Sequence, residues 1–350
     1  MIDVMLEPLV DALGEEFPIE ASPRDQLRAA LKYAVLAPSS HNSQPWVFRI
    51  GDDYLELFAD RSRRLPIVDP NDRELVISCG AALFTLRLAL RNFGIGEHTE
   101  ILPDPTKPDL LARVRVRGSA APSPIDHALF TAIRMRHTDR SAYELRGVRP
   151  ELLHVFAHAA DTEGAWLVTL DDAAVRGQVA DLVGLADRVQ MSDSGFRKEL
   201  TRWLRPNATR RRDGMPGYAV GRGGFSSITG PLLIRRFDTG EGQAAKDEDL
   251  VRGSPTLAVL GTAGEHPRAW LACGQALGHL LLCAQVEGVA ASFLNQPIEV
   301  TRVRPLLEMV VGHVGHAQLL LRLGYSTHSE LRHTPRRPVE DVIQPLVGAA

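Results

Sequence analysis

A chain of 350 residues, 44% hydrophobic and 24% charged, has the makeup of a folded globular protein and the length for two domains or for one large fold of two intimate halves. Forty basic against 43 acidic side chains leave a net charge of −3, so no global field argues for a nucleic-acid partner. No apolar run approaches the roughly 20 residues of a bilayer span, and Met1–Glu7 lacks the basic-then-apolar pattern of a secretory leader; no membrane partner and a cytoplasmic location are expected.

Residues 24–37 carry Leu27, Ala30, Leu31, Ala34 and Val35 at helical spacing, with Ser22 to cap the helix, Pro23 to suit its first turn and Pro38 to stop it. Residues 47–50 and 54–58 read as two strands joined by a turn at Gly51-Asp52-Asp53. Asp69-Pro70-Asn71-Asp72 is a helix start, and a long helix follows over 73–92. Residues 103–108 form a loop, and 111–116 alternate as a strand should. Ala120-Ala121-Pro122-Ser123-Pro124 is the expected join between two halves, 1–119 and 120–350; it is too short to separate independent beads. Helices are expected over 125–134 and 151–163, a strand over 165–170 and a mainly helical stretch over 172–205.

The second half carries an insertion over about 172–250 with no counterpart in the first. Its section with little regular structure includes Arg210–Gly217 and Gly221-Arg222-Gly223-Gly224. Two readings stand for it, a cover over a site or a decorated surface loop. A buried strand at 256–261, a helix over 267–287 and another over 301–311 follow, before a terminal segment with a basic cluster.

Two of these helices repeat one pattern. Cys79-Gly80-Ala81-Ala82-Leu83 opens an apolar run to Gly94, and Cys273-Gly274-Gln275-Ala276-Leu277 opens another to Gly288 at a constant offset. Both cysteines read as packed small side chains. With Cys283 they make neither a CxxC pair nor a disulfide framework, which suits a reducing compartment. The polar motifs do not repeat. Pro38-Ser39-Ser40-His41-Asn42-Ser43-Gln44-Pro45-Trp46 occurs only in the first half, and Arg136-His137-Thr138-Asp139-Arg140 and Arg336-Arg337 only in the second. That asymmetry implies that the halves supply different walls of one site.

The PSSHNSQPW segment resembles the nitroreductase superfamily of flavin enzymes, and residues 24–343 are similar to its fused subgroup, in which two such units share one polypeptide. The resemblance implies an α+β nitroreductase-like fold, with the two tandem units forming an intramolecular pseudo-dimer and FMN at their interface. It implies Arg136, Thr138 and Arg140 as contacts to the FMN phosphate and ribityl chain, with Thr138 where the family has serine. Pro38, Ser39, Ser40 and Asn42 match the stretch that reaches the flavin from the opposite unit, and Arg336 or Arg337 the basic residue near the family's end. Backbone groups near Phe293, Leu294 and Asn295 would lie beside the reactive flavin nitrogen.

Because neither half carries both motif sets, one FMN per chain is expected. The implied activity passes electrons from NAD(P)H to a small-molecule oxidant such as a nitroaromatic or quinone. The rival is a flavin-storing or stress protein with little turnover. Such chemistry belongs to the cofactor and needs neither a protein nucleophile nor a metal. No catalytic residue is assigned, and a monomer and a homodimer of pseudo-dimers both remain open. His313 and His316 lack a third ligand. The glycines at 221–224 lack the strand–turn–helix context of a dinucleotide fingerprint, and Ser226-Ser227 reads as a turn.

Overall fold

Ser22 and Pro23 start the first described helix as their chemistry dictates. The Ser22 hydroxyl accepts from the Asp25 amide, Pro23 occupies the first turn, and α1 (Pro23–Ala34) buries Leu27, Ala30 and Leu31. The structure is a computed structural model and describes residues 17–220, 248, 251, 253–327 and 333–345. Met1–Glu7, Gly221–Gly224 and Ser226-Ser227 lie outside the described residues.

Two antiparallel four-stranded sheets form the frame. The first holds β1 (Trp46–Ile50), β2 (Tyr54–Ala59), β3 (Ile95–Ile101) and β4 (Leu110–Ser119) in the order β1-β2-β4-β3. Between β2 and β3 runs α2 (Arg73–Asn92). After β4 come α3 (Pro124–Met135) and α4 (Pro150–Thr162), then β5 (Trp166–Thr169). The insertion contributes α5 (Ala173–Ser192), α6 (Ser194–Trp203) and a two-residue pair, β6 (Leu204–Arg205) with β7 (Met215–Pro216). The second sheet is completed by β8 (Thr256–Thr262), β9 (Ala290–Phe293) and β10 (His316–Gly324), with α7 (Pro267–Val286) between β8 and β9. The short helices α8 (Gln296–Glu299) and α9 (Arg304–Val311) lie between β9 and β10. The second sheet runs β5-β8-β10-β9. Each sheet therefore places its strands first, second, fourth, third in chain order, with a long helix between the second and third.

Those two long helices cross backbone to backbone. A Cβ added to Gly80 would stand 2.9 Å from the Gly274 Cα, and one added to Gly274 would stand 2.8 Å from the Gly80 Cα. Only glycine permits that approach. Burial covers most of both helices, and one apolar core runs from Leu27 and Leu83 to Leu280 and Leu323. α7 has the length and apolar content of a membrane span, yet it is a buried core helix here. Cys79 and Cys273 are wholly buried beside the crossing, and burial pushes the Cys273 thiol up to about 12, so both pack as small apolar groups. Gly94 and Gly288 end their helices at positive φ, 76° and 68°, as the repeated pattern predicts.

The end of the chain returns to the first sheet. The Phe48 amide donates to Val342 O (2.7 Å) and the Gln344 amide to Phe48 O (2.8 Å), a parallel pairing on β1. Between β10 and this pairing runs the segment that carries Arg336.

Candidate active site

Directly after α1 the chain makes a turn that most side chains avoid. His41 (φ 51°), Asn42 (φ 52°) and Gln44 (φ 51°) all occupy the left-handed region. Each such residue costs on the order of 1–3 kcal/mol unless surrounding bonds fix it, and strain of this kind concentrates at functional sites. The surrounding bonds are present. Ser39 Oγ accepts from the Gln44 amide (3.0 Å), Ser78 Oγ from the Ser40 amide (3.2 Å), and Asn42 O from the Gly214 amide (3.1 Å). Gln44 Nε2 donates to Arg212 O (2.8 Å). Trp46 is fully buried beneath the turn.

A cavity of about 350 Å³ opens beside this turn, within the size range of small-molecule sites. Pro38, Ser39, Ser40, Asn42, Arg136, Thr138, Arg140, Leu294, Asn295 and Arg336 all line it, as does Phe293, although nearly 300 residues separate the first of them from the last. Arg337 does not. Its amide donates to Gln44 Oε1 (2.7 Å) and its guanidinium to Gln44 O (3.2 Å) and Asp341 O (2.6 Å), so it ties the tail to the turn.

One end of the cavity is cationic and buried. Arg136 is 8% exposed, no ion pair engages it among the described residues, and its Nη1 has no hydrogen-bond partner. Arg336 Nε and His333 Nε2 are likewise buried without a partner. Burial lowers the Arg136 guanidinium to about 10; burial and then Arg136 lower Arg336 to about 9. His333 falls to about 4, through burial and then the charges of Arg136, His137 and Arg336. His41 also falls to about 4, through burial and then Arg140. A buried cation without a counter-ion is costly, and a multiply charged anion is what relieves it. Arg140 is exposed and donates to Ala219 O (2.9 Å) in the insertion.

Asn42 sets this corner through its neighbours. Its amide donates to Gly214 O (2.9 Å) and Pro335 O (3.0 Å), and its Oδ1 accepts from Arg336 Nη1 (3.1 Å). The Leu294 amide is spent on Leu320 O (2.9 Å), and Asn295 Oδ1 accepts from the Leu320 amide (3.0 Å). These bonds hold the Phe293–Asn295 turn against β10.

A second part of the lining is acidic. Glu74 is 2% exposed; its carboxylate accepts from Ser40 Oγ (2.5 Å) and from Arg73 Nη2 (2.9 Å). Arg73 Nη1 in turn donates to Gln318 O (2.5 Å). Glu299 accepts from Gln190 Nε2 (2.6 Å). Behind them Asp69 is pushed up to about 7, by burial first and then by the charge of Glu74. The middle of the cavity is apolar, with Ile77 and Leu277 on the crossing helices and Met191, Phe196, Leu200, Leu204 and Met215 on the insertion. The described part of the insertion therefore forms a cavity wall. It is tied down by Glu199 accepting from the Val68 amide (2.9 Å) and by Asp213 between Arg63 (2.6 Å) and Arg205 (3.0 Å).

Asp69 makes stability pH-dependent in a definite direction. Unfolded, it titrates near the usual value of about 3.9. The folded protein thus binds more protons between about 4 and about 7, and stability falls as pH rises through that window. His41 and His333 act in the opposite sense between about 4 and about 6.5, so the fall is cleanest above that range. Asp69→Asn is expected to make the fall of the denaturation midpoint between pH values near 6.5 and 7.5 shallower; an unchanged slope would remove Asp69 as a source of it.

Sequence reasoning passed over His333, Glu74, Gln190, Glu299 and the insertion's apolar wall. Glu74 was legible in part, since it sits in the first turn of the predicted long helix. The others reach the cavity only through tertiary packing.

No family model matches the chain. A Mycobacterium tuberculosis H37Rv protein with the provisional name NAD(P)H nitroreductase is 31% identical over 337 residues, 95% of this chain and 94% of the relative. A second M. tuberculosis protein, also provisionally named an NAD(P)H nitroreductase, is 28% identical over 327 residues, 91% and 95% of the two chains. Among solved structures, the FMN-dependent nitroreductase NfnB from Mycobacterium smegmatis in complex with NADPH is 16% identical, with a TM-score of 0.42 over 63% of this chain and 98% of that one. The first relative, matched along nearly its whole length, places the chain in the nitroreductase superfamily, a family of oxidoreductases.

Proposed function

We propose that this protein is an FMN-dependent oxidoreductase that takes electrons from NAD(P)H and passes them to a nitroaromatic, a quinone or a related small acceptor. The observation that carries the reading is the corner where Arg136 and Arg336, beside a neutral His333, keep buried nitrogens without partners among the described residues, open to an apolar cavity. A dianionic phosphate supplies the missing counter-charge, and a flat ring fills the space between Ile77, Leu277 and Met191. Arg136 and Arg336 hold the phosphate, with Thr138 and Arg140 toward its outer side. Ser39 and Ser40, which lead into the strained turn, and the Asn295 backbone border the ring. The donor at the latter is the Asn295 amide rather than that of Leu294, which is spent on Leu320. Asn42 acts through Arg336. Bound FMN supplies the two-electron chemistry, and the protein binds, orients and shields it.

The halves 1–119 and 120–350 are read as tandem units that form a pseudo-dimer. Support comes from the common strand order of the two sheets and from the glycine crossing. Where the repeat would place a second copy of Glu74, the offset gives Arg268, and its Nη2 donates to Ile101 O (3.0 Å). A cation across that backbone is no mirror of the site. One FMN per chain is therefore expected; flavin released on denaturation and counted against protein at close to two per chain would overturn the single site.

A second reading, storage of FMN with little turnover, draws on the insertion being bonded down over the cavity through Gly214, Arg212 and Glu199. Anaerobic mixing with NADH or NADPH separates the two. Rapid bleaching of the flavin band supports the oxidoreductase. Reduction by dithionite alone supports storage, and a preparation that takes up no flavin defeats both.

A further inference from the structure

We propose that Glu299 is the proton donor to the acceptor reduced in this cavity. The inference rests on the preceding reading and adds to it a protein group for the step that the cofactor does not complete. Reducing a quinone takes two electrons and two hydrogens. Bound FMN, reduced by NAD(P)H, would supply the electron pair with one of the hydrogens, as hydride. The other must come as a proton to the second quinone oxygen.

Position selects Glu299. It ends α8, the short helix that starts immediately after the Phe293–Asn295 turn bordering the ring, and it lines the cavity. One carboxyl oxygen accepts from Gln190 Nε2 (2.6 Å), which fixes the group; among the described residues the other oxygen has no hydrogen-bond partner. Glu74 also lines the cavity but is committed as an acceptor to both Ser40 and Arg73. It serves as the fixed anion of the pair.

The surroundings keep the proton on Glu299. The groups that face it are Glu74 and Arg73 on α2, Asp69 on the preceding loop, and Gln190 with Asp187 one turn away on α5. Burial, and then the negative charge of Glu74, hold its carboxyl well above the usual carboxylate range; the Gln190 hydrogen bond and then the charge of Arg73 oppose this without reversing it, and Arg73 is itself engaged by Glu74 and Gln318. A neutral carboxylic acid beside a fixed carboxylate is a recurrent arrangement for general acids at neutral pH. Two of the histidines at the cavity are ill placed for the step. His333 sits in the phosphate corner, and His41 is held neutral beside Arg140. After donation the Glu299 carboxylate regains its proton from water entering the cavity.

The test uses the full chain with Glu299→Gln, which keeps the shape of the side chain and an acceptor for Gln190. Flavin content and the rate of bleaching by NAD(P)H are expected within about twofold of wild type. Reoxidation by a quinone is expected to slow by roughly 100-fold or more, the usual worth of a general acid, and to lose its pH dependence. Reoxidation at the wild-type rate, with normal flavin content, overturns the proposal while leaving the proposed function standing. A second readout needs neither flavin nor turnover. Infrared spectra of flavin-free wild-type protein near neutral pH should show the carbonyl band of a neutral carboxylic acid that is missing in Glu299→Gln. Absence of that band in the wild type also overturns the proposal, even where the variant fails to fold. Glu74→Gln, which removes the fixed anion, should move the loss of this band to lower pH; a band that stays put counts against the pairing and hence against the donor.

Discussion

Arg136→Met is expected to raise the melting temperature of the flavin-free protein while weakening its hold on FMN by at least about tenfold. Both effects follow from one fact. Arg136 is almost wholly buried, and among the described residues nothing offsets its charge. Apolar replacements of buried charged groups are often neutral or stabilising, by about 1–4 kcal/mol. Charge-assisted hydrogen bonds to a phosphate are worth about 1.5–3 kcal/mol each, so their loss costs affinity. Riboflavin, which lacks the phosphate, should bind the variant and the wild type alike. Thermal denaturation without flavin, beside titrations with FMN and with riboflavin, measures all three. Equal FMN affinity in the two proteins would falsify the phosphate corner, and an equal loss for riboflavin would point to a collapsed cavity instead.

The largest effect on stability is expected at the helix crossing. Gly274→Val puts a branched side chain where the added Cβ already lies 2.8 Å from the Gly80 Cα, with the Ile77 carbonyl closer still. Neither contact is the end of a flexible side chain, so α2 and α7 must part, and the apolar core around them opens. A loss of about 3 kcal/mol or more is expected, at or beyond the upper end of overpacking effects, and read as a lower urea midpoint. Gly177→Ala is the matched control. It lies in α5 with nothing within 4 Å of the added methyl, so helix propensity alone should stabilise it by about 0.5–1 kcal/mol. Similar midpoints for the two variants would show that the crossing tolerates separation.

Much of this frame can be read from the residues, for identifiable reasons. α2 begins at Arg73 and ends at Asn92, and α7 begins at Pro267, because caps, prolines and the glycines at 94 and 288 are local signals. Besides the two-residue pair β6 and β7, three strands of the large sheets escape such reading. β3 is a sheet edge whose burial fades along its length. β9 is four residues long with two alanines. β10 is buried along nearly its whole length, its polar residues Gln318 and Arg322 included, so polarity does not mark an outward face by which to read it as a strand. In the site, sequence motifs mark ten residues that do converge on the cavity and one, Arg337, that stops just short of it. They do not reveal that Asn42 spends its side chain on Arg336, or that Glu299 faces Glu74. Such pairings join segments separated by hundreds of residues, and no local pattern encodes them.

The return of residues 342–344 to β1 joins the rim of the first sheet to the anion site. The stretch of backbone that leads into this seam is the one that delivers Arg336 to the phosphate corner, so whatever loosens the seam loosens the anion clasp with it.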